Sequence, residues 1–498
     1  ANLNLSFTAG GNETIGTLSG SGTVSINGSS ANTLTVGSGD GSSTFSGVIQ
    51  NGGASVLSLT KVGAGTFTLT GGNTATGATT VNGGTLRIGT GGTTGAIAGA
   101  LAVATGATAI VDRSDASVLA GGLTGAGTFT KAGAGTFNLN AGGSLSGTFN
   151  LNGGTVVFNA TNPTGANATA ATFNLAAGTI LTTTTASTHA HFGVLNMEGG
   201  ATITTGAGTG SYNGENFQLN GNVTVAGGTT AAVITRDAGR NDGNSGLALR
   251  GARTFNVADV TGSAAPDLII STQVEPSDND AGANQGALTK TGTGTLQLTG
   301  ANIYTGATLV QEGTLLIDNT HTGGGLITVS AGASLGGSTG TGQIGGVDMS
   351  AGGSLLPGDT ARSDNWMNVQ DLNLGATTQF FFELGLPDDG TGPLPANDLV
   401  TVIGSLSALG GVLNVADLGG VASAPLGSRW QLFEIPNGAP STHSLTLGAV
   451  PARTDGLIYE IEALDSSVAA YLVVAVPEAG SAGLVALGLL LLRHLRRR

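Results

Sequence analysis

Apolar and polar residues alternate along short stretches of this chain with a period of two. Phe67 and Leu69 sit between Thr66, Thr68 and Thr70, and Leu296 and Leu298 sit between Thr295, Gln297 and Thr299. Such a period places successive side chains on opposite faces of an extended backbone, so each stretch predicts a half-buried strand. A second apolar set follows each of them: Val81 with Leu86 and Ile88, Leu151 with Val156 and Phe158, Val310 with Leu315 and Ile317. Glycine steps such as Gly83-Gly84 lie between the strands, where turns need a positive φ that glycine reaches cheaply. Amphipathic helical periodicity is missing, so a coiled-coil or bundle partner is not expected.

The pattern recurs. "GAGTFTLTGGNTATGATTVNGGTLRIG" from Gly63, "GAGTFNLNAGGSLSGTFNLNGGTVVFN" from Gly133 and "GTGTLQLTGANIYTGATLVQEGTLLID" from Gly292 align without a gap, 27 residues each, their starts 70 and 159 residues apart. Strands this short cannot bury their apolar face alone, but stacked copies can. Coiling the chain so that each turn pairs in parallel with the next, roughly 4.8 Å away, satisfies the backbone and makes a continuous apolar column. The expected fold is all-β, a right-handed parallel β-solenoid (β-helix). Thr and Asn suit its outer face, since uncharged stacked rows do not repel. The chain's three lysines, Lys61, Lys131 and Lys290, each precede the first glycine of a copy by two residues. They are expected to be exposed charges that discourage sideways strand addition, with a basic binding stripe as the alternative.

Composition narrows the class. The 498 residues include 89 glycines, 9% charged residues and a net charge of -14. With 39% hydrophobic residues and Thr, Ser and Asn as the main polar types, the chain reads as folded and β-rich, not disordered. Four of the 16 basic residues lie in the last six positions; without them and Glu478 the body holds 12 basic against 29 acidic residues. A body of about -17 repels nucleic acid and anionic lipid surfaces. There is no cysteine, hence no disulfide, thiolate metal site or cysteine nucleophile. Ala1 is not Met and no signal-like segment follows it, which predicts either a removed signal peptide or a truncated N-terminus.

These residues resemble the autotransporter-associated β-strand repeat, whose Leu-Thr-Lys-Thr-Gly, Gly-Thr-Leu and Tyr-Thr-Gly elements appear in "LTKTGTGTLQLTGANIYTG" at 288–306. "STFSGVI" at 43–49 and "TVSAGASLGGSTGTGQIGG" at 328–346 look like the stretches that flank such repeats. The resemblance covers roughly two thirds of the chain and implies a scaffold more than an activity. Residues 1–346 are then the solenoid, with less regular inserts at 161–192 and 236–286. Residues 347–475 are read as irregular rungs leading to a C-terminal β cap that hides the open edge; within them, 361–475 hold Trp366, Trp430, Phe380-Phe381-Phe382 and seven of the 12 prolines, between Pro387 and Pro451.

Little chemistry is expected. His189 and His191 share a strand face, but without a nearby third ligand a solvated polar strand is the better reading and no metal is assigned. The acidic loops 236–246 and 275–286 and the turn "GSGDG" at 37–41 lack the spacing of a calcium loop and read as surface turns. Glu312 and Asp318 stand alone, and Asp237, Arg240 and Asp242 are the nearest approach to an acid-base cluster, so no catalytic residue and no cofactor is assigned. The alternative, a polysaccharide-binding or polysaccharide-cleaving β-helix enzyme, would have its acids beside the 236–286 insert.

The tail, 476–498, stands apart. From Ala479 to Leu492 run 14 uncharged residues, a short hydrophobic helix of about 21 Å, against a bilayer core of roughly 30 Å. Arg493, Arg496, Arg497 and Arg498 anchor its end on the cytoplasmic side. Val476-Pro477-Glu478, a short apolar span and terminal arginines resemble the PEP-CTERM sorting signal of Gram-negative, exopolysaccharide-producing bacteria, with Ala479 in place of the usual second proline. That resemblance implies an exosortase partner, a membrane-embedded protease-transpeptidase that reads the motif and releases or transfers the body after transient inner-membrane insertion. The last 250 residues or so show no run of ten-residue amphipathic strands, which argues against a self-transporting passenger with its own barrel. The expected function is therefore an exported structural or adhesin-like component of the cell surface or extracellular matrix, with exopolysaccharide as a partner and no nucleic acid.

Overall fold

The computed structural model describes residues 3–5, 11–26, 30–53, 55–160, 162–163, 165, 171–184, 190–205, 217–236, 246–277, 286–339, 342–358, 366–387, 397–406, 409–436, 443–463 and 469–475. Every regular element among them is a β-strand, most of two to six residues. The sorting motif Val476, Pro477 and Glu478, the arginines and the expected hydrophobic helix lie outside the described residues. The chain falls into two compact units, one reaching Leu316 and taking in His321–Gly325, the other made of Ile317–Thr320 and the residues from Leu326 onward.

In the first unit the chain visits three sheets in turn. Ser117–Leu119 lies in one, Leu123–Gly125 in the next, Thr128–Lys131 in the third, and Thr136–Leu139 returns to the first. Each strand pairs in parallel with its counterpart one coil away and in register: Thr128–Lys131 aligns residue by residue with Thr148–Leu151, and that strand with Thr172–Leu175. This is the coil geometry of a parallel β-solenoid. One face is a seven-stranded sheet ending at Ser144–Leu145; further on, a four-stranded sheet joins Ala190–Phe192, Phe217–Leu219, Leu247–Leu249 and Val274–Pro276. The expected inserts are therefore corrected in part. Within 161–192 and 236–286 stand regular rungs, Thr172–Leu175, Ile180–Thr183, Leu247–Leu249, Ala252–Val257 and Leu268–Ile270. Their two-residue alternation is short and was diluted by the polar residues between them.

The interior is an apolar column. Phe67, Leu69, Leu296 and Leu298 are buried as their period demands. Register stacks Phe129, Phe149 and Phe173 on successive coils, with ring centroids 5.0 Å apart at both steps. Phe192 continues the series 4.8 Å from Phe173, and Phe217 lies 5.9 Å from Phe192. Each of these rings, hidden from water, contributes roughly 1.5–3 kcal/mol.

The second unit also builds parallel ladders. Ile327–Val329, Val347–Met349 and Leu372–Leu374 pair in order, as do Ser334–Gly337, Ser354–Pro357, Gln379–Leu384, Leu409–Asp417 and His443–Leu447. A five-stranded sheet differs: Ala469–Ala475 runs antiparallel between Arg429–Glu434 and Ile458–Ala463. Trp430 is fully buried there and donates its indole N–H to Gly385 O at 3.0 Å, and Phe433 meets Phe380 and Phe382 edge-on.

Candidate functional site

The lysines overturn their expected role. Lys61, Lys131 and Lys290 are each 0% exposed. Lys61 ends the strand Leu57–Lys61, with Leu57 and Leu59 at the same parity, and its register neighbours one coil away are Val36 and Val81. Lys290 pairs with Phe255 and Val310 in the same way. The strand therefore drives each stem into the apolar column. The ammonium ends at the corner, where the turning backbone aims carbonyl oxygens inward. Lys61 Nζ donates to Val62 O at 2.6 Å, Gly63 O at 2.8 Å and Gly83 O at 3.1 Å. Lys290 Nζ donates to Thr291 O at 3.0 Å, Gly292 O at 2.7 Å and Glu312 O at 3.1 Å. Lys131 Nζ donates to Gly133 O and Gly153 O. An ammonium has three N–H donors, so in two of the three corners every donor meets a carbonyl. In all three, the last acceptor lies 22 residues along the chain, so each lysine ties its own corner to the following one.

Neither an edge guard nor a basic stripe survives this burial. Lys61 also stands in a different sheet from Lys131 and Lys290. Burial lowers the ammonium pKa at all three, opposed by Asp40 beside Lys61, Asp112 beside Lys131, and Glu312 with Asp267 beside Lys290; Lys290 falls to about 8. The signal was in the sequence, because Leu57-Ser-Leu59-Thr-Lys61 keeps the two-residue period through the lysine. Charge argued outward and parity argued inward, and the corner carbonyls decided for parity.

The outward side of the longest ladder in this unit carries an uncharged row. Register aligns Thr130, Asn150, Asn174, Asn196, Thr224 and Asn256 on successive coils. Asn196 Nδ2 donates to Asn174 Oδ1 at 2.8 Å, Asn174 Nδ2 to Asn150 Oδ1 at 2.8 Å, and Asn150 Nδ2 to the Thr130 hydroxyl at 3.3 Å. Two residues earlier on the strands, Thr128, Thr148 and Thr172 form a second aligned row. Beside the ladder lies a shallow cavity of about 280 Å³ bordered by Asn152, Asn174, Asn196, Glu198, Thr224 and Ala226.

The other sites are accounted for individually. His189, Asp237, Arg240 and Asp242 lie outside the described residues. His191 is 5% exposed, which corrects the solvated-strand reading. Its register aligns it with Gln218, Ala248 and Glu275 in the four-stranded sheet, so the structure gathers His191, buried Gln218 and buried Glu275 into one row that local spacing could not reveal. Asp40 takes a left-handed turn (φ 59°) and its carboxylate accepts the Ala64 N–H at 2.7 Å, tying one coil to the next. Glu312 Oε2 accepts the Gly292 N–H at 3.2 Å, and buried Asp318 accepts the Ser338 N–H at 3.1 Å. Asp348 and Asp371 border one cavity of the second unit. Asp348 accepts from Ser350 N and Asn373 Nδ2, and Asp371 from the N–H and hydroxyl of Ser405; these bonds hold both carboxyls below the usual range. Among the described residues no group of three or more His, Cys, Asp or Glu side chains is placed to hold a metal, and no helix is long and apolar enough to cross a membrane.

Against known proteins, residues 59–88, 129–158 and 288–317 match the family described as Passenger-associated-transport-repeat. Each matched range carries its buried lysine at the third position. A stretch of 134 residues is 38% identical to the adhesin BmaC autotransporter of Brucella suis biovar 1 (strain 1330), spanning 26% of this chain and 4% of that protein. This chain is thus similar to passenger repeats over three segments and to a short part of one large adhesin.

Proposed function

We infer that this chain is an exported, adhesin-like surface scaffold without catalysis of its own: a right-handed β-solenoid displayed at the cell surface or in the extracellular matrix. The observation that carries the reading is the repeat. The three segments matching passenger-associated repeats are the ones whose lysines tie corner to corner, a device for building a long regular body. The carboxylates beside the second unit's cavity support the non-catalytic part, since each is spent on local N–H and O–H donors. Sorting is assigned to the tail: Val476-Pro477-Glu478 is read by an exosortase while the apolar span and Arg493, Arg496, Arg497 and Arg498 hold the chain in the inner membrane. In an exosortase-bearing host, wild-type protein is expected at the surface or in the medium, shortened by about twenty residues, and accessible to added protease. Changing Pro477 and Glu478 to Ala should leave it full-length in the membrane fraction, and changing the four arginines to Ser should loosen retention. A body that stays protease-protected inside the cell would refute the surface reading; processing that ignores the motif change would refute the sorting step alone.

A further inference from the structure

We propose that the Asn150–Asn256 row, with buried Thr130 behind its first amide, is a binding strip for a linear, neutral, hydroxyl-rich polysaccharide lying along the coil axis. The proposal rests on the surface reading above, which places this face where such a polymer is met. Three observations carry it. First, the row is periodic: parallel strands stand about 4.7–4.9 Å apart, so one amide or hydroxyl recurs per coil, at nearly the advance of one sugar in an extended β-linked chain. Second, the row is pre-ordered and only partly spent. Each bond between neighbouring asparagines uses one N–H of the donor and one lone pair of the acceptor, leaving a second N–H and a second lone pair for a ligand. The ladder stops at Asn196, whose Oδ1 accepts no bond among the described residues; Thr224 follows, and the cavity opens beside both. Fixed amides bind without the ordering cost of mobile side chains. Third, charge selects the polymer. The row positions Asn150, Asn174, Asn196, Thr224 and Asn256 carry no charge in a chain of net -14, and the one carboxylate at the cavity, Glu198, is held there by accepting the Ala177 N–H at 2.9 Å. An anionic polymer is repelled and a neutral one is not. The buried His191, Gln218 and Glu275 row is not open in this way.

The test uses the full chain and a soluble mixed-linkage β-glucan, with polygalacturonate as the anionic comparison, in affinity electrophoresis. Wild type is expected to be retarded by the glucan and not by polygalacturonate. Asn174→Ala with Asn196→Ala should weaken retardation about tenfold or more. Ala226→Leu, which narrows the cavity without touching the ladder, should weaken it as well, and melting curves confirm that both variants fold. Thr182→Ala with Gln297→Ala, on the neighbouring face, should bind as wild type. No retardation of wild type, equal losses in the neighbouring-face variant, or preference for polygalacturonate overturns the proposal. Self-association abolished by the Asn174 and Asn196 changes overturns it too, since the row would then face a second copy. Protease shaving of cells expressing the same variants separates the two readings: a displayed variant that no longer binds spares the scaffold, and a binding protein that is never displayed spares the strip.

Discussion

A lysine inside an apolar column is stable because the corner supplies carbonyls, two at Lys131 and three at Lys61 and Lys290, that accept from its ammonium. Removing it should therefore cost more than a surface charge would. Lys290→Ala strips the stem from the column and orphans Thr291 O, Gly292 O and Glu312 O; the expected loss is about 2–4 kcal/mol. Lys290→Met keeps most of the stem and should recover part of that, and urea melts of the two variants measure the difference. A loss under about 0.5 kcal/mol in Lys290→Ala would return the lysine to the surface. Burial also lowers the Lys290 pKa to about 8, against an ordinary value near 10.4. Between those values the unfolded chain binds the proton more tightly than the folded one, so this group's contribution to stability rises with pH across that window and is smallest below pH 8. Carbon-13 shifts of the lysine Cε, followed from pH 7 to 11, should show Lys290 titrating first. Titration of all three lysines together near the ordinary value would contradict the burial.

Each element is a short strand plus a glycine corner, and the two tolerate different changes. On the strand Thr295–Leu298, Leu296 is wholly buried and Gln297 faces outward, half-exposed. Leu296→Asp places an unpaired charge in the column and should cost several kcal/mol, whereas Gln297→Asp should cost well under 1 kcal/mol. Equal losses in thermal melts would mean that the strand is out of register by one. At the corner, Gly313 has φ 67°, and a Cβ there would lie 2.4 Å from Gly292 O and 2.8 Å from Lys290 Nζ. Gly313→Ala combines left-handed strain with displacement of the ammonium, so at least about 2 kcal/mol is expected, with the Lys290 titration moved as an independent readout. In the column, Phe149→Ala leaves a void among stacked rings and should cost about 3–5 kcal/mol.

At the scale of the molecule, a chain whose described elements are all strands should give a far-ultraviolet circular dichroism spectrum of β-sheet, and more than about a fifth helix would be incompatible with coils whose corners are only a few residues long. The all-β class was legible from the amino-acid order alone, as were inside and outside on the repeat strands and the glycine turns. These properties are set by neighbours one to four residues apart: period-two alternation chooses the face, and a missing Cβ permits the turn. The buried lysines were half legible, since parity pointed inward while charge pointed outward. Only the tertiary structure could decide between them, because the carbonyls that accept from each ammonium include one 22 residues away. The asparagine ladder, the phenylalanine column and the row of His191, Gln218 and Glu275 were decided by folding for the same reason. Each joins residues separated by a whole coil of variable length, and no local rule states which rung will lie on which; the stacking that buries the apolar column sets that register.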